Sequence, residues 1–235
     1  MESAATDNKQ IWRVIVVGGH TRSIGKTQLV CDIIHAFPET NWIAGKITQY
    51  GHGVCAQNGE NCDCAPKEHG YAISWEQNPR SRTDSSRFLA AGAKRSFWLR
   101  TKQGFLAEGL PLLRNALTEA VGDNIVDPPA LILESNSVLQ FIQPSLYFAV
   151  LDSRREDFKD SARVVLDRAD ALVLRDTEQG TAEEGSPTAD PPWTKLSPQL
   201  LRAVPSVRQL EGEPLPVPLQ VLVRRALEAP ADVRV

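Results

Sequence analysis

The segment Val14-Ile15-Val16-Val17-Gly18-Gly19-His20-Thr21-Arg22-Ser23-Ile24-Gly25-Lys26-Thr27-Gln28 runs from four β-branched apolar residues straight into two glycines. Gly25-Lys26-Thr27 then opens an amphipathic stretch, so the order is buried strand, tight loop, helix. That order is the signature of a phosphate-binding loop. A polyphosphate needs donors that converge without bulky side chains in the way, and a glycine-bounded loop leading into a helix N-terminus supplies them. In this reading the residues from Gly19 to Gln28 line the phosphates, Lys26 reaches the outer phosphates, and the Thr27 hydroxyl holds Mg²⁺. The spacing is Gly-x5-Gly-Lys-Thr, counted from Gly19.

The composition sets the frame around this loop. The chain has 235 residues, 42% of them hydrophobic, enough for one sizeable core. A net charge of −3 gives no electrostatic case for nucleic acid or an anionic membrane as the main partner. No apolar run approaches the roughly 20 residues of a spanning helix, and Met1 to Gln10 lacks a signal-peptide core. A cytoplasmic protein is expected, its four cysteines thiols or ligands rather than disulfides.

Along the chain, strands are expected at Ile11–Val17, Asn41–Ile47, Lys94–Leu99, Ala130–Asn136, Ser145–Asp152 and Ala171–Arg175. Helices alternate with them, near Lys26–Ala36 and Phe105–Val121, and a short one capped by Thr83 ends at Gly92. Alternation of this kind makes an α/β fold with a three-layer, mostly parallel, doubly wound sheet. The division of the chain follows. Residues 1–10 form a disordered lead, 11–176 the nucleotide-binding core with a cysteine-containing insertion at 48–82, 177–192 a flexible loop, and 193–235 a C-terminal extension packed on the core. The last seven residues are expected to fray.

Glu134 ends an apolar strand, where a carboxylate can hold the metal shell or the attacking water. Asp152 ends the next strand in the same manner. Lys46, at the end of the second strand, is a second phosphate or substrate contact or a plain surface lysine. Asp84 and Arg87 stand one helical turn apart, ordering a switch-like segment or forming a local exposed pair. Cys55, Cys62 and Cys64, with His52 beside them, offer soft ligands for Zn²⁺ or an iron–sulfur cluster, though the spacing fits no standard motif.

Taken together, these motifs resemble known proteins. The loop from Gly19 to Thr27 resembles the longer phosphate loop of dethiobiotin synthetase and of the cobyrinate amidotransferase synthetases. Lys46 followed by Gly51-His52-Gly53, and Thr83-Asp84-Ser85-Ser86-Arg87 leading to Ala91-Gly92-Ala93, are similar to the MobB family, the adaptor of molybdopterin-guanine dinucleotide biosynthesis. The resemblance implies a fold of the P-loop NTPase type and Mg²⁺-dependent binding and slow hydrolysis of GTP or ATP. It further implies a role in molybdenum-cofactor maturation beside a molybdopterin-handling protein, and it allows a homodimer. The catalytic set expected from these positions is Lys26, Lys46, Asp84 and Glu134. Departures exist: Ser135-Asn136-Ser137 stands where the adaptor typically has Gly-Phe-Lys, and no Asn-Lys-x-Asp guanine motif is present. An ATP-dependent synthetase of the dethiobiotin type and a nucleotide-gated metal or cluster carrier remain the alternative readings.

Overall fold

The computed structural model describes residues 11–51, 70–121, 129–175, 197–231 and 233–235. His52, Cys55, Cys62 and Cys64 lie outside the described residues, as do the lead at 1–10 and the loop at 177–192. The strands are β1 (Ile11–Gly19), β2 (Trp42–Tyr50), β3 (Tyr71–Trp75), β4 (Arg95–Lys102), β5 (Ala130–Glu134), β6 (Leu146–Leu151), β7 (Ala171–Leu174), β8 (Ser206–Arg208) and β9 (Val233–Arg234). The α-helices are α1 (Lys26–Ala36), α2 (Asp84–Ala90), α3 (Leu106–Val121), α4 (Asp160–Arg163), α5 (Pro198–Ala203) and α6 (Val217–Glu228).

The sheet order is β3-β4-β2-β5-β1-β6-β7-β8. Along this path all neighbours are parallel except the edge strand β3, antiparallel to β4, and off the path β9 runs antiparallel to β1. β1 is central because its residues are apolar on both faces. Trp12, Val14 and Val16 lie in the buried layer that also holds Leu106, Leu110, Leu113 and Leu117 of α3. Ile15 and Val17 face Leu29, Val30, Ile33 and Ile34 of α1 and Leu219 and Val223 of α6. Fully burying each such side chain contributes about 1.5–3 kcal/mol, so the strand is fixed in register by both layers. The result is a three-layer, doubly wound α/β sheet. Its strands point their carboxyl ends, and with them Gly19, Lys46 and Glu134, toward one edge.

Two expectations need correction. The reading of 48–82 as an inserted segment without strands fails at two places: Thr48–Tyr50 complete β2, and Tyr71–Trp75 form β3. The end of the chain does not fray. Val233 and Val235 are buried, β9 pairs with the start of β1, and Arg114 Nε donates to the Val235 carbonyl.

Candidate nucleotide site

The loop after β1 departs from helix geometry where its glycines allow. Gly25, immediately before α1, has φ 85°, and Ser23 has φ 54°. Left-handed positions of this kind bend a strand end into a concave turn, and glycine accepts the conformation without a Cβ clash. At the other end a Cβ on Gly18 would sit 2.3 Å from Asn136 Oδ1, so only glycine fits there. Asn136 clamps the loop: the Gly19 N–H donates to its Oδ1 and its Nδ2 donates to the Gly19 carbonyl, both at 2.8 Å. Asn136→Ala is therefore expected to cost about 1–3 kcal/mol, because a backbone donor and acceptor lose their partners. Urea unfolding would measure this, and weaker nucleotide binding should accompany it.

Lys26 starts α1 and donates through Nζ to the Thr21 carbonyl within its own loop. Burial pushes its pKa below the ordinary lysine value, against the attraction of Glu134 and with the repulsion of Lys46. Thr27, one residue on, donates from Oγ1 to Glu134 Oε2 at 2.7 Å. The register places Glu134 beside both Val17 of β1 and Lys46 of β2, and so delivers the acid to the mouth of the loop. Lys46 Nζ is 3.2 Å from Glu134 Oε1 and is paired with Asp84 Oδ2 as well. Burial opposes the charge on Lys46, but Glu134 and Asp84 outweigh it and hold its pKa above the ordinary value. Lys26, Thr27, Lys46, Asp84 and Glu134 thus form one charged cluster drawn from four elements.

Asp84 stands at the first turn of α2, whose cap is the expected one: the Ser86 N–H donates to Thr83 Oγ1 at 3.1 Å. Of the two readings of Asp84 and Arg87, the local exposed pair does not form. Asp84 turns to Lys46, and Arg87 Nη2 instead donates to Gln28 Oε1 at 2.7 Å. Asp152 is likewise not an open strand-end acid, since Arg154 grips both its oxygens, through Nε at 2.8 Å and Nη2 at 2.7 Å. His20 is buried with its ring centroid 5.2 Å from that of Phe158, and burial keeps it below its ordinary pKa.

Several residues escaped the sequence reading. Glu76 knots the segment leading to α2, accepting from the Gln77 and Asn78 N–H groups and from the Thr83 and Ser81 hydroxyls. The Asn78 N–H, foremost among these, holds the Glu76 carboxyl down to about 2. Arg175, just past β7, donates through Nη2 to the Gly25 carbonyl at 3.1 Å. A polar residue ending an apolar strand was the available signal for both Asn136 and Arg175, the same one that marked Glu134. No comparable signal marked Glu76.

Hard oxygen donors suit Mg²⁺, and Thr27 and Glu134 fit that ion. Among the described residues no group of three or more His, Cys, Asp or Glu is placed to hold a metal. Among the described residues no helix is long and apolar enough to cross a membrane.

No protein-family model matches the sequence. No curated protein matches it. Among solved structures, HypB from Helicobacter pylori in complex with nickel is similar over 92% of this chain and 84% of its own, at 11% identity and a TM-score of 0.42. LpxK from Aquifex aeolicus in complex with ATP is similar over 84% of this chain and 53% of its own, at 16% identity and a TM-score of 0.42. The assignment rests on the chain itself: with its parallel sheet order, the glycine-bounded turn from β1 into α1 and a strand-end acid on the Thr27 hydroxyl, this is a fold of the P-loop NTPase type.

Proposed function

We propose that the chain is a Mg²⁺-dependent nucleoside-triphosphate-binding protein that hydrolyses GTP or ATP slowly. The observation that carries this reading is the 2.7 Å contact between Thr27 Oγ1 and Glu134 Oε2 at the open end of the loop. Lys26 exchanges the Thr21 carbonyl for phosphate oxygens, and the loop amides that follow His20 donate to the remaining phosphate oxygens. Thr27 and Glu134 would hold Mg²⁺, which neutralises charge on the outer phosphates and orients them. Lys46 is shared between Glu134 and Asp84, and an incoming terminal phosphate competes for it. A Lys46 ammonium drawn toward the terminal phosphate loosens its pairing with Asp84, so α2 responds to the state of the phosphate.

For the cellular role we adopt an accessory factor in molybdenum-cofactor maturation. The two segments that resemble the MobB adaptor, around Lys46 and around Thr83–Arg87, meet in the Lys46–Asp84 pair, which supports reading them as one device. The cysteine cluster is taken as a site for Zn²⁺ or an iron–sulfur cluster, with Cys55, Cys62, Cys64 and His52 as ligands.

The deciding experiment is titration with fluorescent tri- and diphosphates, with Mg²⁺ and with a chelator. Micromolar triphosphate binding that weakens about tenfold without Mg²⁺ is expected, and no binding would overturn the assignment. Turnover that requires a small-molecule acceptor would replace the accessory role with a synthetase. Metal lost on changing Cys62 or Cys64 to Ser and released on nucleotide binding would replace it with a carrier.

A further inference from the structure

The residues that follow β6 turn back over the phosphate loop and are fastened to it at three successive positions. Thr21 Oγ1 donates to Asp157 Oδ2, the Phe158 ring packs on His20, and the Lys159 N–H donates to the His20 carbonyl at 2.9 Å. This fixes the Lys159 backbone against the loop, although its residue number gives no hint of it. The Lys159 side chain is half-buried, and among the described residues it makes neither a hydrogen bond nor an ion pair with a carboxylate. The nearby acids are occupied: Asp157 by Thr21, Asp84 by Lys46, and Glu134 by Thr27 and Lys46. Burial pushes the Lys159 ammonium down to about 8, and Arg22 and Lys26 press on it in the same direction. Arg22, Lys26, Lys46 and Lys159 thus bring positive charge to one place in a chain whose net charge is −3. With Lys46 already paired to Asp84 and Glu134, the Lys159 ammonium is the charge here that a bound anion would partner.

The sheet order sets the direction. Lys46 lies on β2, two strands to one side of β1, and Lys159 follows β6, the neighbour on the other side. We propose that Lys159 is a phosphate-binding residue, which grips the terminal phosphate of the bound nucleoside triphosphate from the side opposite Lys46. The inference rests on the nucleotide reading above and adds a residue and a discrimination to it: the β6–α4 loop makes the site prefer triphosphate over diphosphate.

The test is equilibrium binding of GTP, GDP, ATP and ADP with Mg²⁺ to the full chain and to Lys159→Ala and Lys159→Arg. Lys159→Ala should weaken the triphosphates about tenfold and the diphosphates less than about twofold, and Lys159→Arg should retain the preference. The wild-type preference should decline as the pH rises through about 8, where the free ammonium loses its proton, and Lys159→Arg should not show that decline. The other charged groups facing Lys159 are Arg22, Lys26, Lys46 and Asp157. All of them are retained in the arginine variant, so a decline that persists there belongs to them and overturns the proposal. Equal weakening of both nucleotide classes, or none, overturns it as well while leaving the nucleotide reading intact. A wild-type chain that binds no nucleotide overturns both. Matching thermal melts of the three proteins without nucleotide show that the fold is shared.

Discussion

Lys26→Ala is expected to weaken triphosphate binding by about a hundredfold to a thousandfold while leaving the free protein folded and no less stable. The size follows from the contacts at stake, because a charge-assisted hydrogen bond to phosphate is worth roughly 1.5–3 kcal/mol and the proposed site has Lys26 serve two phosphates. The effect on stability has the opposite sign. Burial lowers the folded-state pKa of Lys26, so the unfolded chain holds the proton more tightly. Lys26 therefore works against folding at neutral pH, and its cost fades only as the pH rises from the folded value toward the ordinary lysine value. Alanine removes that cost. Thermal melts with and without nucleotide separate the two effects. Wild-type protein should gain melting temperature on adding triphosphate, by mass action on the native state. The variant should start at the same temperature or higher and gain nothing. A variant that still gains as much as wild type would refute the phosphate-loop assignment.

How far the sequence could be read depended on whether each feature was local. The bounds of α1, Lys26–Ala36, follow from Gly25 before it, the spacing of Leu29, Val30, Ile33 and Ile34, and the stop near Pro38. Glu134 was legible because four apolar residues before it leave no other place for an acid than the carboxyl edge of the sheet. β3 was not legible, since as an antiparallel edge strand it is nowhere fully buried and its residues carry no core pattern. Val233 and Val235 look like tail residues until β9 pairs with the start of β1. Which of the two readings of Asp84 and Arg87 held was undecidable for a related reason. Spacing on a helix shows which residues share a face, but a partner from another strand, Lys46, decided which contact formed. The contacts of Asn136 and Lys159 depend on which loop folds over the β1 terminus, and no local pattern encodes that.

Glu134→Gln isolates the acid's charge from its shape. Glu134 now serves two neighbours at once, Thr27 through Oε2 at 2.7 Å and Lys46 through Oε1 at 3.2 Å. A glutamine keeps the volume and one acceptor, which can turn to Lys46 while its amide donates to the Thr27 hydroxyl. It supplies no negative charge. Hydrolysis should therefore fall by about a hundredfold to a thousandfold and lose most of its response to Mg²⁺, while triphosphate affinity stays within about tenfold of wild type. Lys46 provides a second readout that does not depend on catalysis. Its folded-state pKa is raised above the ordinary value, so it contributes stability that is fully present below the unfolded pKa and is lost as pH rises through the folded one. Without Glu134 only Asp84 sustains that rise. The variant should then lose stability at a lower alkaline pH than wild type, whereas Lys46→Ala should remove this alkaline transition in either background. Unfolding curves from pH 8 upward make the comparison. If Glu134→Gln abolished turnover but left both the Mg²⁺ response of binding and the alkaline transition unchanged, the acid would be acting on the attacking water alone, and its assignment to the metal and to Lys46 would fall.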